Sequence, residues 1–393
     1  MTPAARVQAA IEILDEVIAS ARDDGPPADA IVTRYFKVRR YAGSKDRRAV
    51  RDLVFRAIRR SGERPANGRA AMVGLAADDQ DLAASFDASA HGPQAIAAGE
   101  RGAQASLLPE WIEGEQSSLV TPDEWPALLE RAPLDLRVNV ASTTREAMLA
   151  AVEGARPTPL SPWGIRLPPD SRIDQNPSYL SGLVEVQDEG SQVIALACAP
   201  AAGMKIIDLC AGAGGKALAL AAATANQAEI LACDTNRARL AKLPPRAGRS
   251  GAAIGTRLLD PGREAEQLAD WDERADLVLV DAPCSGSGTW RRNPEGRWRL
   301  TPERLRRVAQ LQSRLLDIAA RLVAPGGTLV YAVCSLLERE GAGQISAFLG
   351  RHSSWSGQDA PGSFGRKDGE GRLLTPGHDG TDGFFVARLQ RSC

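Results

Sequence analysis

The stretch Ile206-Ile207-Asp208-Leu209-Cys210-Ala211-Gly212-Ala213-Gly214-Gly215-Lys216 constrains this chain most strongly. A short apolar run enters it, and Ala217-Leu218-Ala219-Leu220-Ala221-Ala222-Ala223 leaves it with the composition of a helix. A strand, a glycine turn and a helix form the opening unit of a nucleotide-binding α/β sheet. Glycine is needed there because the backbone turns tightly and a ligand approaches with no Cβ in the way. Further on, Glu229-Ile230-Leu231-Ala232-Cys233 predicts a second strand ending in Asp234, an acid placed to accept hydrogen bonds from ribose hydroxyls. The turn does not fit G-x-G-x-x-G, and Ala217 after Lys216 rules out a phosphate loop. Taken by itself, it leaves a nicotinamide-dependent oxidoreductase open.

A later segment narrows the chemistry. Leu277-Val278-Leu279-Val280 predicts a buried strand running into Asp281-Ala282-Pro283-Cys284-Ser285-Gly286-Ser287-Gly288. Gly327 to Val333 predicts another, which delivers Cys334-Ser335. The carboxyl ends of strands in an open α/β sheet border the ligand crevice, so Asp281, Cys284 and Cys334 are expected beside the glycine turn. Cysteines are most often small buried fillers; strand tips border solvent, and each of these is followed by serine, which favours a chemical role. The third strand is placed at Ala252 to Leu259, ending in Asp260, either a partner for an adenine amine or a plain loop aspartate. Trp290 to Arg299 is basic and aromatic together, and Arg291, Arg292, Arg297 and Arg299 either grip phosphates or form internal salt bridges. Thr301 and Pro302 open a helix to about 323 with Leu305, Val308, Leu311, Leu315 and Ile318 on one stripe.

The N-terminal part is helical. Apolar spacing predicts helices over 7–22 and about 28–40, and a third capped by Ser44. Residues 34–60 are rich in arginine although the net charge is −1, which suggests a polyanion contact or a solvated face. Tyr35, Phe36 and Tyr41 are interleaved as stacking rings or as core. Residues 130–185 alternate as a small α+β module, with strands at 134–140 and 164–167 and a helix from Thr143 to Val152. The six cysteines include no C-x-x-C pair and there are three histidines, so no metal site is expected. No apolar run is long enough for a membrane span, and the N-terminus lacks a signal-peptide core; the expected location is the cytoplasm.

The segments Asp208 to Lys216, Asp281 to Gly288 and Cys334-Ser335 resemble the motifs of the Sun/RsmB family of RNA 5-methylcytosine methyltransferases. Val186-Gln187-Asp188-Glu189-Gly190-Ser191-Gln192 is similar to that family's upstream motif, and Thr381-Asp382-Gly383-Phe384-Phe385-Val386 to its last one. The likeness covers roughly 130–393, and residues 1–118 resemble, more weakly, a NusB-like RNA-binding domain. The resemblance implies a Rossmann-like class I methyltransferase sheet at 186–393, an RRM-like α+β module at 119–185 and a helical domain at 1–118. It implies S-adenosyl-L-methionine over Cys210, Ala211, Gly212, Ala213, Gly214, Gly215 and Lys216, with Asp234 on the ribose, Asp260 near the adenine and Asp281 beside them. The partner it implies is RNA, ribosomal 16S above all, with transfer RNA as the alternative; an inactive RNA-binding or ribosome-assembly protein of the same fold is the competing reading.

Chemistry makes sense of these residue types. Cytosine C5 is a poor nucleophile until a thiolate adds to C6, and a second group must then hold the ring as N3 gains a proton. By resemblance Cys334 is the nucleophile, Cys284 helps break the adduct, Asp281 holds N3 and the exocyclic amine, and Lys216 lines the pocket near both cofactor and base. A Pro-Cys loop also carries the nucleophile in DNA 5-methylcytosine enzymes, so the residues by themselves leave Cys284 as an alternative. Three departures stand out: Ala213 replaces the family's usual proline, Val333 replaces a usual threonine, and Pro244-Pro245 falls within the helix after the second strand.

Overall fold

The computed structural model describes residues 1–169 and 171–393, in two compact units. The first comprises Met1–Glu115 with Thr289–Pro302, the second Gln116–Gly288 with Glu303–Cys393.

The first unit is built on helices α1 (Pro3–Arg22), α2 (Ala28–Val38), α3 (Ser44–Arg60) and α4 (Gly68–Ala76). Thr2 caps α1 by accepting from Ala5 N at 3.2 Å, ahead of Pro3, whose missing N–H costs nothing in a first turn. Val7, Leu14, Val17, Ile31, Val50, Val54, Ile58 and Met72 meet in one apolar core. Gly43, not Ser44, occupies the cap of α3; Ser44 lies inside the helix. Tyr35 and Phe36 belong to the core, whereas Tyr41 is 75% exposed. Much of the basic face is internally compensated: Arg34 pairs with Glu16, Arg39 with Glu12, Arg51 with Asp29 and Arg56 with Asp79.

The segment Thr289–Pro302 corrects one expectation. Arg297 is 1% exposed and donates to the carbonyls of Ile58 at 2.6 Å, Pro294 at 3.0 Å and Arg59 at 3.3 Å, and to that of Leu107. Trp298 Nε1 donates to Ser61 O at 2.8 Å, and Arg299 to Gly25 O at 2.9 Å and Pro26 O at 2.8 Å. Arg297 and Arg299 bind carbonyls of the helical unit rather than standing ready for phosphates, because carbonyls in the last turn of α3 and in loops have no helix partner and need donors. Burial, and then the neighbouring Arg59, pull the Arg297 guanidinium down to about 9. Arg297→Ala is expected to cost about 3 kcal/mol or more, since it strands several buried acceptors; the shift of the urea unfolding midpoint measures it.

The second unit opens with a four-stranded antiparallel sheet, β1 (Leu134–Val138), β2 (Arg156–Pro157), β3 (Gly164–Leu167) and β4 (Val184–Val186), in the order β2-β3-β1-β4. Leu136, Val138, Ile165, Leu167 and Val184 form its core with Met148 of the helix Arg145–Ala151. Thr144 caps that helix, accepting from Ala147 N at 3.2 Å. The short β4, which leads into the helix Glu189–Ala197, is not among the strands read from sequence.

The larger sheet carries β5 (Lys205–Asp208), β6 (Glu229–Asp234), β7 (Gly255–Leu258), β8 (Ala275–Asp281), β9 (Val323–Val333), β10 (Trp355–Gln358), β11 (Arg366–Asp368), β12 (Gly371–Leu374) and β13 (Phe384–Arg391). Its order is β11-β12-β13-β9-β8-β5-β6-β7, with β10 on β13. Strands β9, β8, β5, β6 and β7 are parallel, and β13 adds antiparallel to β9. Strands β5, β6, β8 and β9 are largely buried, as in a sheet covered on both faces, whereas β7 at the edge is exposed to half-buried. This is the Rossmann-like α/β class that the glycine turn predicts, and the third strand falls within the expected stretch. Among the described residues no helix is long and apolar enough to cross a membrane.

Candidate active site

The strand order reverses at β5, whose neighbours are β8 on one side and β6 on the other. Ligands in open α/β sheets lie at that reversal, outside the carboxyl ends of the strands. The glycine turn sits there. Gly212 has φ +56° and Gly214 φ +81°, a left-handed backbone that suits glycine. A Cβ on Gly214 would lie 2.1 Å from Leu243 Cδ1, so a side chain there would have to displace Leu243 as well as strain the backbone.

The turn is held from several directions. Gly212 N donates to Asp234 Oδ2 at 2.7 Å, and Asn236 N to Asp234 Oδ1 at 2.6 Å. Arg137 on β1 donates to Gly215 O at 2.6 Å. Arg246 donates to Ala213 O and is itself held by Glu185 on β4 at 2.9 Å. The small α+β sheet thus anchors the turn directly through Arg137 and indirectly through Glu185, which holds the Arg246 that binds the residue standing where proline is usual.

A cavity of about 460 Å³ opens at this edge, lined by Cys210, Asp234, Asn236, Arg239, Leu259, Glu264, Asp281, Pro283, Cys284, Leu311, Leu315 and Cys334 among others. Five of the residues singled out from sequence therefore face one space: Cys210, Asp234, Asp281, Cys284 and Cys334. Lys216, 8% exposed, donates from Nζ to Asp281 Oδ2 at 2.7 Å. Ala211, Gly212, Ala213, Gly214 and Gly215 shape the turn without themselves lining the cavity. Asp260 does not line it either: it is exposed, and its Oδ2 accepts from Gln267 Nε2 at 2.9 Å.

The two sulfurs, Cys284 Sγ and Cys334 Sγ, are 3.2 Å apart. The hydrogen bond to Cys334, then burial and the charges of Cys334 and Glu340, hold the Cys284 thiol well above its ordinary range. Burial alone would lower Lys216, but Asp281 outweighs it and raises the ammonium. Asp208, fully buried, is pushed up to about 7, by burial first and then by Asp281. A carboxyl raised on folding favours the folded state below its unfolded value near 3.8 and loses that contribution as pH rises through about 7. Asp208→Asn is therefore expected to gain stability relative to wild type between about pH 4 and pH 8, by up to about 4 kcal/mol. Urea unfolding at the two pH values reads the gain; a constant difference between the two proteins would count against it.

Sequence reasoning missed the buried polar cluster behind the cysteines. Glu340, fully buried, accepts at Oε1 from Ser285 N at 2.8 Å and from Gln312 Nε2 at 2.9 Å, and at Oε2 from Ser335 Oγ at 2.5 Å. Ser287 Oγ lies 3.1 Å from Ser335 Oγ and accepts from Leu336 N at 2.9 Å. The serines after each cysteine were visible as a pattern; the acid that joins them lies in a run, Glu338-Arg339-Glu340, that looks like ordinary surface.

Comparison with known proteins agrees with this geometry. The family model described as 16S rRNA methyltransferase RsmB/F matches residues 195–390. The ribosomal RNA small subunit methyltransferase B of Salmonella arizonae is 36% identical over 291 residues, covering 72% of this chain and 66% of that protein. The matched stretch thus spans about two thirds of that relative's length. Among solved structures, PH0851 covers 100% of this chain and 99% of its own, with TM-score 0.77 and 22% identity. NSun6 from Pyrococcus horikoshii, solved with SFG, covers 68% of this chain and 93% of its own, with TM-score 0.62 and 20% identity; both are likenesses of fold. With the sheet, the turn and the cysteine-bearing strand tips in one arrangement, and with a curated relative at this identity, the chain belongs to the RsmB/F methyltransferase family.

Proposed function

We propose that this protein methylates C5 of a cytosine in RNA, 16S ribosomal RNA being the substrate its relatives' names point to, with S-adenosyl-L-methionine as donor. The observation that carries the reading is the pair of sulfurs 3.2 Å apart in the same cavity as Asp281, which Lys216 holds at 2.7 Å.

The donor fits the residues present. The cavity of about 460 Å³ is of the size that small-molecule sites take, and the two glycines of left-handed backbone leave room for close approach. Asp234 and Cys210 line it, and SFG, an analogue of S-adenosylmethionine, accompanies the related NSun6 fold. Asp260, outside the lining, is kept as an adenine contact only with a turn of its side chain away from Gln267. When bound, S-adenosylmethionine supplies a methyl group on a sulfonium, an electrophile that needs no metal.

This chain's own residues do the rest. The Cys334 thiol gives up its proton by way of Asp281, and its sulfur bonds to C6 of the extruded base. The C5=C6 electron pair shifts into the ring, N3 takes the proton, and C5 becomes an enamine carbon able to accept methyl. Asp281, oriented by Lys216, accepts from N3–H and the exocyclic amine. After C5 is methylated, N3 releases its proton and C5 loses its hydrogen to a base. The C5–H pair forms C5=C6, and the C6–S bond breaks with its pair on Sγ of Cys334. Cys284 S–H, beside that sulfur, donates a hydrogen bond to it as it departs. The test is transfer of labelled methyl to 16S RNA, with bisulfite sequencing to find the modified position. Label on a nitrogen or a ribose, or none at all, rejects the assignment.

A further inference from the structure

Behind the cavity, and not among its lining residues, lies a buried acid that the steps above do not use. Glu340 sits at the junction of two loops. Through Oε1 it takes the backbone N–H of Ser285, the residue after Cys284; through Oε2 it takes the hydroxyl of Ser335, the residue after Cys334. Gln312, from the helix Pro302–Leu322 and fully buried, donates one amide to both Glu340 Oε1 and Pro283 O, each at 2.9 Å. Tyr331 on β9 donates to Glu340 O at 2.8 Å, so the backbone of the acid is fixed as well. A single carboxylate thereby ties the flanks of both cysteines to one point.

We propose that Glu340 is a positioning residue that divides the labour between the two thiols: it fixes both cysteine loops and sets a negative charge beside Cys284, so that the proton shared by the sulfurs stays on Cys284. The proposal rests on the C5-methylation reading for its consequence in turnover, not for its geometry. A fixed anion disfavours a second anion nearby, and does so strongly in a dry interior. Asp234, Arg239, Glu264 and Asp281 line the cavity with the two sulfurs, and outside that lining Glu340 and Tyr331 act on Cys284 and Lys216 on Cys334. Glu340 acts on Cys284, while the Lys216 ammonium interacts with Cys334. The acid and the base thus pull the pair in opposite senses: Cys334 becomes the thiolate, and Cys284 remains the S–H that supports its departure.

The experiment is alkylation of the full-length protein by iodoacetamide from about pH 6 to about pH 10, each cysteine followed by peptide mass spectrometry. In wild type, Cys334 is expected to react at lower pH than Cys284; the reverse order overturns the proposal without any variant. In Glu340→Gln, Cys284 alkylation near pH 8 is expected to rise about tenfold with Cys334 changing less than about threefold. Glu340→Asp, which restores the charge, is expected to bring Cys284 back to within about threefold of wild type. An unchanged Cys284 rate in Glu340→Gln, or both cysteines rising together as on local unfolding, overturns the proposal. Alkylation reads no methyl transfer, so failure of the cytosine assignment leaves this measurement standing. In turnover on RNA, Glu340→Gln is expected to lower kcat about tenfold with KM within about twofold, and to shift the alkaline limb of the kcat profile to lower pH. A change confined to KM would contradict a role in the adduct.

Discussion

Cys334→Ala is expected to reduce methyl transfer by at least about a thousandfold while leaving affinity for S-adenosylmethionine within a few fold of wild type. The split follows from the geometry. The thiol borders the cavity at the tip of β9, whereas the turn that shapes the donor side hangs from β5 and is held by Asp234, Arg137 and Arg246. In the proposed mechanism, removing one sulfur takes away the covalent route to the enamine and disturbs none of those anchors. Single-turnover transfer together with calorimetric binding of the donor reads both halves. Substantial transfer by the variant would move the nucleophile to Cys284, the alternative that the Pro-Cys loop leaves open.

Cys284→Ala is expected to do the opposite of a simple loss. In the proposed route, addition to C6 needs only Cys334, so the adduct is expected still to form, but the departing sulfur loses the S–H that lies 3.2 Å from it. The proposed covalent RNA–protein species is expected to accumulate at least about tenfold over wild type and to survive denaturing electrophoresis. If Cys334→Ala accumulates the species instead, the roles of the two sulfurs are exchanged. If neither variant does, the S–H of Cys284 has no part in release.

The parts of this fold that were legible in sequence are those in which local chemistry agrees with tertiary structure. Gly212 and Gly214 suit glycine for reasons of backbone, and β5, β6, β8 and β9 are apolar in their interiors because both faces are covered. Their tips carried Asp234, Asp281, Cys284 and Cys334 into one cavity as the topology of such a sheet requires. The supports were not legible. Glu340, Gln312 and Arg297 are polar residues in runs that look like solvated helix or loop, and only long-range packing buries them. Arg297 was read as a phosphate contact or an internal salt bridge for the same reason: a cation in a basic, aromatic segment gives no sign that its partners are carbonyls near residues 58 and 107. The strands β10 to β12 were missed because three- and four-residue strands leave too short a pattern to recognise.

One consequence of the chain's path concerns how this protein can be taken apart. The polypeptide leaves the sheet unit after Gly288, lends Thr289–Pro302 to the helical unit, and returns at Glu303. The helical unit is therefore discontinuous, and no single cleavage frees a complete copy of it. A fragment starting at Gln116 keeps Arg297 and Trp298 but forfeits the carbonyls of Ile58 and Ser61 that receive their protons. Chimaeras that exchange the N-terminal region among relatives must accordingly carry two exchanged stretches, not one.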